Sequence, residues 1–237
     1  NNTNLSLSGR YNVPSDADEK FIWEASAKRE VARQVSLRVK AGNSFRLPSQ
    51  FELYGSSGNP NLGPEESMGF EVGIEGQRRI NRMPLTFSAD YFHRVLEDRI
   101  GGSPLVNTDT EVVSKGVDVK LGLRLNSRWS MKVSGTWADA TEDGSDRQIT
   151  EVPEMNAKGQ IRYRSPSDRY QLALLGKYVG DVFGEAASRE QYGDHTVIDM
   201  TGSYNIDLEG VHTLDVRLEN VFDEEYTTSI ADKTTVG

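Results

Sequence analysis

The chain has 237 residues, of which 27 are Lys or Arg and 36 are Asp or Glu, so its formal charge is −9. This acidity argues against a nucleic-acid-binding protein, and the absence of cysteine excludes disulfides, thiolate metal sites and cysteine nucleophiles. A helical membrane protein is excluded too, because no apolar run approaches the roughly 18–20 residues that a spanning helix needs.

Alternation of apolar and polar residues, which is typical of half-buried β-strands, dominates the sequence. In residues 117–126, Val, Val, Leu, Leu and Leu alternate with Asp, Lys, Gly, Arg and Asn. We predict about eleven such strands and find no convincing helical period. In chain order the strands lie near residues 4–11, 20–31, 34–45, 67–77, 84–100, 110–126, 128–142, 155–164, 169–183, 195–208 and 211–222.

The connections between these strands fall into two classes that alternate along the chain. Tight turns are predicted at residues 33–34, 126–128, 165–168 and 209–210, with a slightly longer one at 78–84. Long polar loops are predicted at residues 14–19, 46–66, 101–109, 142–153 and 184–194. Short turns at one end and long loops at the other are typical of outer-membrane β-barrels.

Alternation alone does not distinguish a soluble β-sandwich from a barrel with a polar lumen. Trp129 and Trp137 share one face of a predicted strand and lie about 27 Å apart along it, which matches the spacing of two aromatic girdles once the strand tilts. We therefore predict an apolar face towards lipid that includes Leu121, Leu123, Val133, Leu214, Val216 and Leu218. The charged residues predicted to line the lumen are Glu24, Lys28, Arg38, Lys40, Glu71, Asp118, Lys120, Arg124, Lys132, Lys158, Arg162, Asp215 and Arg217.

Several motifs resemble the barrel of TonB-dependent outer-membrane receptors. Residues 45–55 match the pattern F-R-x-P-x-x-x-E-L-Y-G, and residues 58–67 match G-N-P-x-L-x-P-E-x-S. Residues 91–100 resemble Y-F-x-x-x-x-x-D-x-I, and residues 114–118 resemble x-x-G-V-E with Asp118 in place of Glu. Residues 220–226 resemble N-L-F-D-x-x-Y with Val221 in place of Leu. The resemblance covers essentially the whole chain.

The resemblance implies an all-β, antiparallel transmembrane β-barrel of about 22 strands, of which about eleven are predicted here. We therefore interpret residues 1–237 as a single domain, the C-terminal portion of such a barrel. We recognise neither a plug domain nor a signal peptide in the chain. On this interpretation the strands at 4–11 and 211–222 are the edges of the sheet.

The resemblance also implies a function in the outer membrane of a Gram-negative bacterium. Family members import scarce, bulky ligands such as ferric siderophores, haem or cobalamin, energised by the TonB complex acting on a plug domain that is absent from this chain. The implied partners are outer-membrane lipid and lipopolysaccharide, TonB and an extracellular small-molecule ligand. Two alternatives remain open: a self-contained small barrel that acts as a channel or an enzyme, and a soluble β-sandwich binding module.

The sequence indicates no catalytic site, cofactor or metal site. His93, His195 and His212 lack a metal-ligand spacing, and the acidic loops at 142–146 and 16–19 lack the order of a calcium loop. Ligand contact is expected from the long-loop side. The candidates are Arg46, Tyr54, Asn59 and Asn61. Residues 45–67 are expected to form an ordered, non-repetitive loop that is held by its prolines, Phe45 and Tyr54. The competing hypothesis is that this segment only braces the rim of the barrel against the plug.

Overall fold

A computed structural model describes residues 2–14, 19–145, 147–184, 191–207, 211–227 and 235–236. Its one helix among these residues is α1 (Gln50–Tyr54). The strands are β1 (Thr3–Asn12), β2 (Lys20–Ala32), β3 (Val35–Arg46), β4 (Glu65–Ile80), β5 (Met83–Glu97), β6 (Ile100–Gly101), β7 (Val106–Asn107), β8 (Val112–Arg124), β9 (Trp129–Glu142), β10 (Met155–Arg164), β11 (Tyr170–Val179), β12 (Val182–Phe183), β13 (Gln191–Tyr192), β14 (His195–Asn205), β15 (Thr213–Leu218), β16 (Tyr226–Thr227) and β17 (Thr235–Val236).

The long strands form one sheet of eleven strands in the order β1-β2-β3-β4-β5-β8-β9-β10-β11-β14-β15. Each strand lies beside its neighbour in the sequence, apart from short two-stranded insertions made by β6–β7 and β12–β13. The order begins with β1 and ends with β15, which confirms the predicted edge strands. All eleven predicted strands are found, within a few residues of their predicted bounds.

Residues with a left-handed backbone form several of the tight turns. Asn81 and Arg82 both have positive φ, 49° and 70°, as in the two-residue type I′ turn that suits the twist of a β-hairpin. The prediction of a longer connection at 78–84 is therefore wrong, because β4 and β5 continue up to this turn. Gln34 and Asp168 also adopt positive φ in their turns. The predicted turn at 209–210 lies outside the described residues.

The chain divides into two compact units, which we describe separately. Unit 1 consists of residues 1–74, 90–117 and 139–148. Its strands β1, β2 and β3 pair in antiparallel register. The guanidinium of Arg38 on β3 pairs with the carboxylate of Asp90, which is only 7% exposed. A buried carboxylate requires such a partner, so this ion pair fixes part of the polar side of unit 1.

Unit 2 consists of residues 75–89, 118–138 and 149–237. Strands β9, β10, β11, β14 and β15 pair consecutively in antiparallel register. The carboxylate of Asp199, 3% exposed, accepts a hydrogen bond from Lys177 Nζ at 3.0 Å and one from the Asn220 backbone amide at 3.1 Å. Arg217 lies 3.7 Å from the same carboxylate.

The two faces of the sheet in unit 2 follow the predicted alternation. Leu121, Val133, Leu214, Val216 and Leu218 are 40–55% exposed, and no second sheet packs on them within the part of unit 2 that the structure describes. Lys120 and Lys132, on the other face, line a cavity. Apolar side chains without a protein partner are expected where a barrel meets lipid. Among the described residues, no helix is long and apolar enough to cross a membrane.

Candidate functional site

The segment between β3 and β4 contains a short helix, α1, that the sequence did not lead us to expect. Its N-cap residue is Ser49, whose hydroxyl accepts a hydrogen bond from the Glu52 backbone amide at 3.2 Å. The Glu52 carboxylate accepts one in return from the Ser49 amide at 2.7 Å. This reciprocal capping box stabilises the first turn of a helix. The expectation of a wholly non-repetitive loop is therefore wrong for residues 50–54.

Arg46, at the end of β3, joins three parts of this segment. Its Nη1 and Nη2 lie 2.9 Å and 3.0 Å from the two carboxylate oxygens of Glu52 on α1. Its Nε donates to Glu65 Oε2, at the start of β4, over 2.7 Å. Such bidentate, charge-assisted pairs are among the stronger hydrogen bonds in proteins. The bonds from Arg46, aided by the Ser49 amide, lower the pKa of Glu52 to about 2.

The same network continues into residues 98–108, which carry the small hairpin of β6 and β7. The second oxygen of Glu65 accepts a hydrogen bond from the Ile100 amide at 2.8 Å. The Asn107 side chain accepts from the Gly63 amide at 2.8 Å and donates to the carbonyls of Gly63 and Asp98 at 3.1 Å and 2.8 Å. We call residues 45–67 and 98–108 together the loop cluster.

A second set of hydrogen bonds joins the two parts of the loop cluster. Asn59 Nδ2 donates to the Leu105 carbonyl at 3.0 Å, and the Leu105 amide donates to the Ser57 carbonyl at 3.0 Å. Asn59 Oδ1 also accepts from the Asn61 amide at 2.9 Å, which shapes the turn around Pro60. Because these bonds tie both halves through backbone groups, the loop cluster is ordered as predicted.

Close backbone packing requires glycine at two positions after α1. A Cβ atom on Gly55 would lie 2.5 Å from the Phe51 carbonyl oxygen, and one on Gly58 would lie 2.9 Å from the Leu53 backbone. No side chain fits at either distance, so these glycines of the motif allow the chain to fold back on the helix.

Two aromatic side chains project from α1 into solvent. Phe51 is 73% exposed and Tyr54 is 71% exposed. The prediction that Tyr54 holds the loop is therefore wrong, since a side chain so exposed makes little contact with its surroundings. Phe51 was not among the candidate contact residues selected from the sequence. Large apolar groups presented together on a surface often mark an interaction site.

All four candidate contact residues belong to the loop cluster, but their environments differ. Arg46 and Asn59 form hydrogen bonds within the cluster. Tyr54 and Asn61 are exposed. Phe45 is half-buried, as expected of an anchor.

The histidines and the acidic loops that were considered as metal ligands do not come together in the structure. Each histidine has its own neighbour: His93 stacks on Phe70, His195 on Tyr226, and His212 contacts Asp207. In the acidic loop at 142–146, Glu142 pairs with Arg99 at 3.1 Å, while Asp146 lies outside the described residues, as do residues 16–18. No group of three or more His, Asp or Glu residues suited to a metal ion occurs in the described part of the chain.

Comparison with known proteins identifies the family. The profile of the TonB dependent receptor-like β-barrel matches residues 1–221. The chain belongs to this family. The vitamin B12 transporter BtuB of Photobacterium profundum is 25% identical over 220 residues, which cover 86% of this chain and 34% of the transporter. The chain thus spans about a third of the length of this curated relative. It is a protein of the Gram-negative outer membrane.

Solved receptor structures share the fold at low sequence identity. The ferric enterobactin receptor PfeA of Pseudomonas aeruginosa, solved as a mutant, is 15% identical with a TM-score of 0.76, covering 94% of this chain and 38% of the receptor. The siderophore receptor PiuA of Acinetobacter baumannii is 17% identical with a TM-score of 0.75, covering 96% of this chain and 38% of that receptor. The all-β fold class is therefore confirmed as part of a receptor barrel.

Proposed function

We propose that this chain is part of an outer-membrane active transporter that binds and imports a scarce, bulky ligand. The ligand class is a ferric siderophore, haem or cobalamin. Support comes from the similar proteins, which are named as a vitamin B12 transporter and as receptors for ferric enterobactin and siderophores. Import is energised through TonB, acting on a plug domain outside residues 1–237.

Residues 1–237 supply barrel wall and long loops in this proposal, as a C-terminal portion of the barrel. The exposed leucine and valine face contacts lipid and lipopolysaccharide, and the polar face lines the lumen. The exposure of Leu121, Leu214 and Val216 supports this orientation, because a water-facing sheet would bury these side chains against a partner layer.

The proposal rests mainly on the exposed side chains of Phe51 and Tyr54. Both belong to α1, which hydrogen bonds from Arg46 to Glu52 hold in place within the long loop. Tyr54 and Phe51 can contact a bulky ligand without first breaking any hydrogen bond of the loop cluster. We propose that Tyr54 and Asn61 contact the ligand directly. Arg46 and Asn59 contribute by fixing the loop that presents them, because their polar atoms are already hydrogen-bonded within it.

The test uses the full-length receptor in a host that lacks competing uptake systems. Binding of labelled cyanocobalamin, haem and ferric enterobactin to whole cells is measured together with receptor abundance. We expect Tyr54→Ala to weaken binding at unchanged abundance. Tyr204→Ala provides the matched control, since Tyr204 is exposed near the end of β14. Unchanged binding by the Tyr54 variant would leave the loop cluster with a bracing role only.

Energisation is tested separately in the same cells. Uptake of whichever ligand binds should cease when TonB is deleted, while surface binding should persist. Uptake that continues without TonB would refute active transport and favour a passive channel.

A further inference from the structure

Four aromatic side chains form a row across the outer face of unit 2. The ring centroids of Trp129 and Tyr163 lie 4.7 Å apart, and those of Tyr163 and Tyr170 lie 6.0 Å apart. Tyr170 lies directly opposite Tyr204 in the pairing of β11 with β14. Directly opposed residues of an antiparallel pair project from the same side of the sheet, so all four rings share one face. We call these four residues the aromatic row.

The aromatic row lies on the face that we assign to lipid, at the end of the sheet where the tight turns are. Tyr204 is directly opposite Leu214, one of the exposed leucines of that face. Tyr163 and Tyr170 flank the tight turn at 165–168. Short turns of outer-membrane barrels face the periplasm, and aromatic girdles lie at the membrane interfaces. The aromatic row therefore lies at the level of the lipid headgroups in the periplasmic leaflet.

The tyrosine hydroxyls of the aromatic row are available to a partner outside the protein. None of the hydroxyls of Tyr163, Tyr170 and Tyr204 forms a hydrogen bond with a residue that the structure describes. The contrast is Tyr178, at the other end of β11, whose hydroxyl donates to Asp194 at 3.1 Å. A tyrosine at a membrane interface presents an apolar ring and a polar tip that seeks a hydrogen-bond partner. The headgroup layer supplies such partners.

Arg169 places a positive charge beside this row. Its guanidinium carbon lies 5.5 Å from the centroid of the Tyr204 ring, which is a cation–π contact, and its Nη2 donates to the Ile206 carbonyl over 3.4 Å. Arg169 is exposed and forms no ion pair within the described part of unit 2. The adjacent carboxylate, Asp168, lies 3.8 Å from Arg164 instead. A guanidinium has five N–H donors, so most of those of Arg169 remain available along the edge of its plane.

We propose that Arg169 and the tyrosine hydroxyls of the aromatic row bind the phosphate group of an anionic phospholipid. A guanidinium binds two phosphate oxygens in parallel, and hydroxyls can donate to the others. An aromatic girdle alone accepts any lipid, whereas an uncompensated arginine favours a headgroup with net negative charge. Phosphatidylglycerol is therefore preferred over zwitterionic phosphatidylethanolamine.

The position of the site defines both its source of phosphate and its independence from other parts of the receptor. Lipopolysaccharide also carries phosphate, but it occupies the opposite leaflet, on the side of the long loops. The aromatic row lies on the outer surface of the sheet, opposite to the face that lines the lumen, so a plug domain does not cover it. Binding at this site does not depend on which ligand the receptor imports.

The test uses the purified full-length receptor in phosphatidylcholine vesicles. Trace phosphatidylglycerol with a photoreactive diazirine near its glycerol backbone is compared with phosphatidylethanolamine that carries the same group. Mass spectrometry identifies the crosslinked peptides. We expect peptides from residues 163–172 and 200–206 to be labelled about fivefold more by phosphatidylglycerol, the factor that corresponds to about 1 kcal/mol for one arginine near an anionic lipid surface.

Variants of the receptor separate the charge from the aromatic girdle. Arg169→Gln should bring the two labelling yields within about twofold of each other. Tyr204→Leu should lower the preference in part, because the guanidinium loses the ring that orients it. Arg162→Gln is the matched control. Arg162 is exposed next to Tyr163 on β10, so it projects from the opposite face, and its removal should leave the preference unchanged. Strand content by circular dichroism verifies that each variant folds.

Four results would overturn the proposal. The first is equal labelling of these peptides by the two lipids in the wild type. The second is a preference that survives in Arg169→Gln. The third is loss of the preference in excess inorganic phosphate, which would assign the site to a soluble anion. The fourth is stronger labelling by a diazirine derivative of lipid A, which would assign it to lipopolysaccharide.

Discussion

Replacing Arg46 with alanine should loosen the loop cluster without unfolding the sheet. The substitution removes three charge-assisted hydrogen bonds, two to Glu52 and one to Glu65. The Arg46 side chain is 48% exposed, whereas Glu65 is only 12% exposed. At about 0.5–1 kcal/mol for each partly solvated bond, the local free energy of opening should fall by about 1.5–3 kcal/mol.

Amide hydrogen exchange of the full-length receptor in micelles measures this opening directly. Because about 1.4 kcal/mol corresponds to a factor of ten, exchange should accelerate about 10- to 100-fold. The informative amides are those of Ser49 and Ile100, which donate to the two carboxylates that Arg46 holds. Arg46→Lys should give an intermediate effect, since lysine keeps the charge but cannot bind both oxygens of Glu52 in parallel.

Arg10→Ala is the matched control for this experiment. Arg10 is exposed on β1 and forms no ion pair with the residues that the structure describes, so exchange in the loop cluster should not change. Unaltered exchange at Ser49 and Ile100 in the Arg46→Ala variant would refute the assignment of Arg46 as the brace of this segment.

Three further perturbations test other parts of the chain. Leu123→Arg on the lipid face should cost about 2–4 kcal/mol in equilibrium unfolding from micelles, whereas Gln160→Arg on the polar face should be tolerated. Because the folded-state pKa of Glu52 is lowered to about 2, its contribution to stability is present above its ordinary pKa and is lost as the pH falls towards 2. Glu52→Gln should reduce this acid dependence of loop opening, followed by protease access to residues 45–67. The remainder should come from Glu65, whose pKa the bond from Arg46 also lowers. Gly58→Ala should disorder that segment in the same protease assay, since its Cβ would meet backbone at 2.9 Å, while Gly159→Ala, with nothing within 4 Å, should not.

Sequence patterns predicted the strands because nearly all of them, β15 excepted, repeat a signal over ten or more residues. In 117–126 the alternation is uninterrupted, and β8 covers most of this range. A helix of five residues, such as α1, is too short to show a period, and its signal was instead the spacing of Ser49 and Glu52. The tight turn at Asn81-Arg82 was missed because arginine is not a typical residue for a left-handed position.

The site was predicted in its location but not in its contacts. Motif spacing identified residues 45–67, yet no local pattern indicates that Asn107 binds Gly63 or that Glu65 receives the Ile100 amide. These partners are separated by tens of residues and meet only through the pairing of the strands. For the same reason, the exposure of Tyr54 could not be read from its motif, because burial depends on what the folded chain places over it.

The strand order has a consequence for how the chain acquires its structure. Long strands pair with their sequence neighbours, so the sheet is built from contacts of short sequence separation despite its all-β character. Contact order, more than size, governs the folding rates of small domains, because the entropic cost of closing a loop arises before the hydrogen bonds of the paired strands stabilise it. In this sheet each pairing step closes a single turn or a single loop, and each of its eleven strands pairs with the next strand of the sheet along the sequence. The sheet can therefore extend hairpin by hairpin, and a defect such as a disfavoured residue at Asn81 should stall growth at its own hairpin and leave hairpins already formed intact.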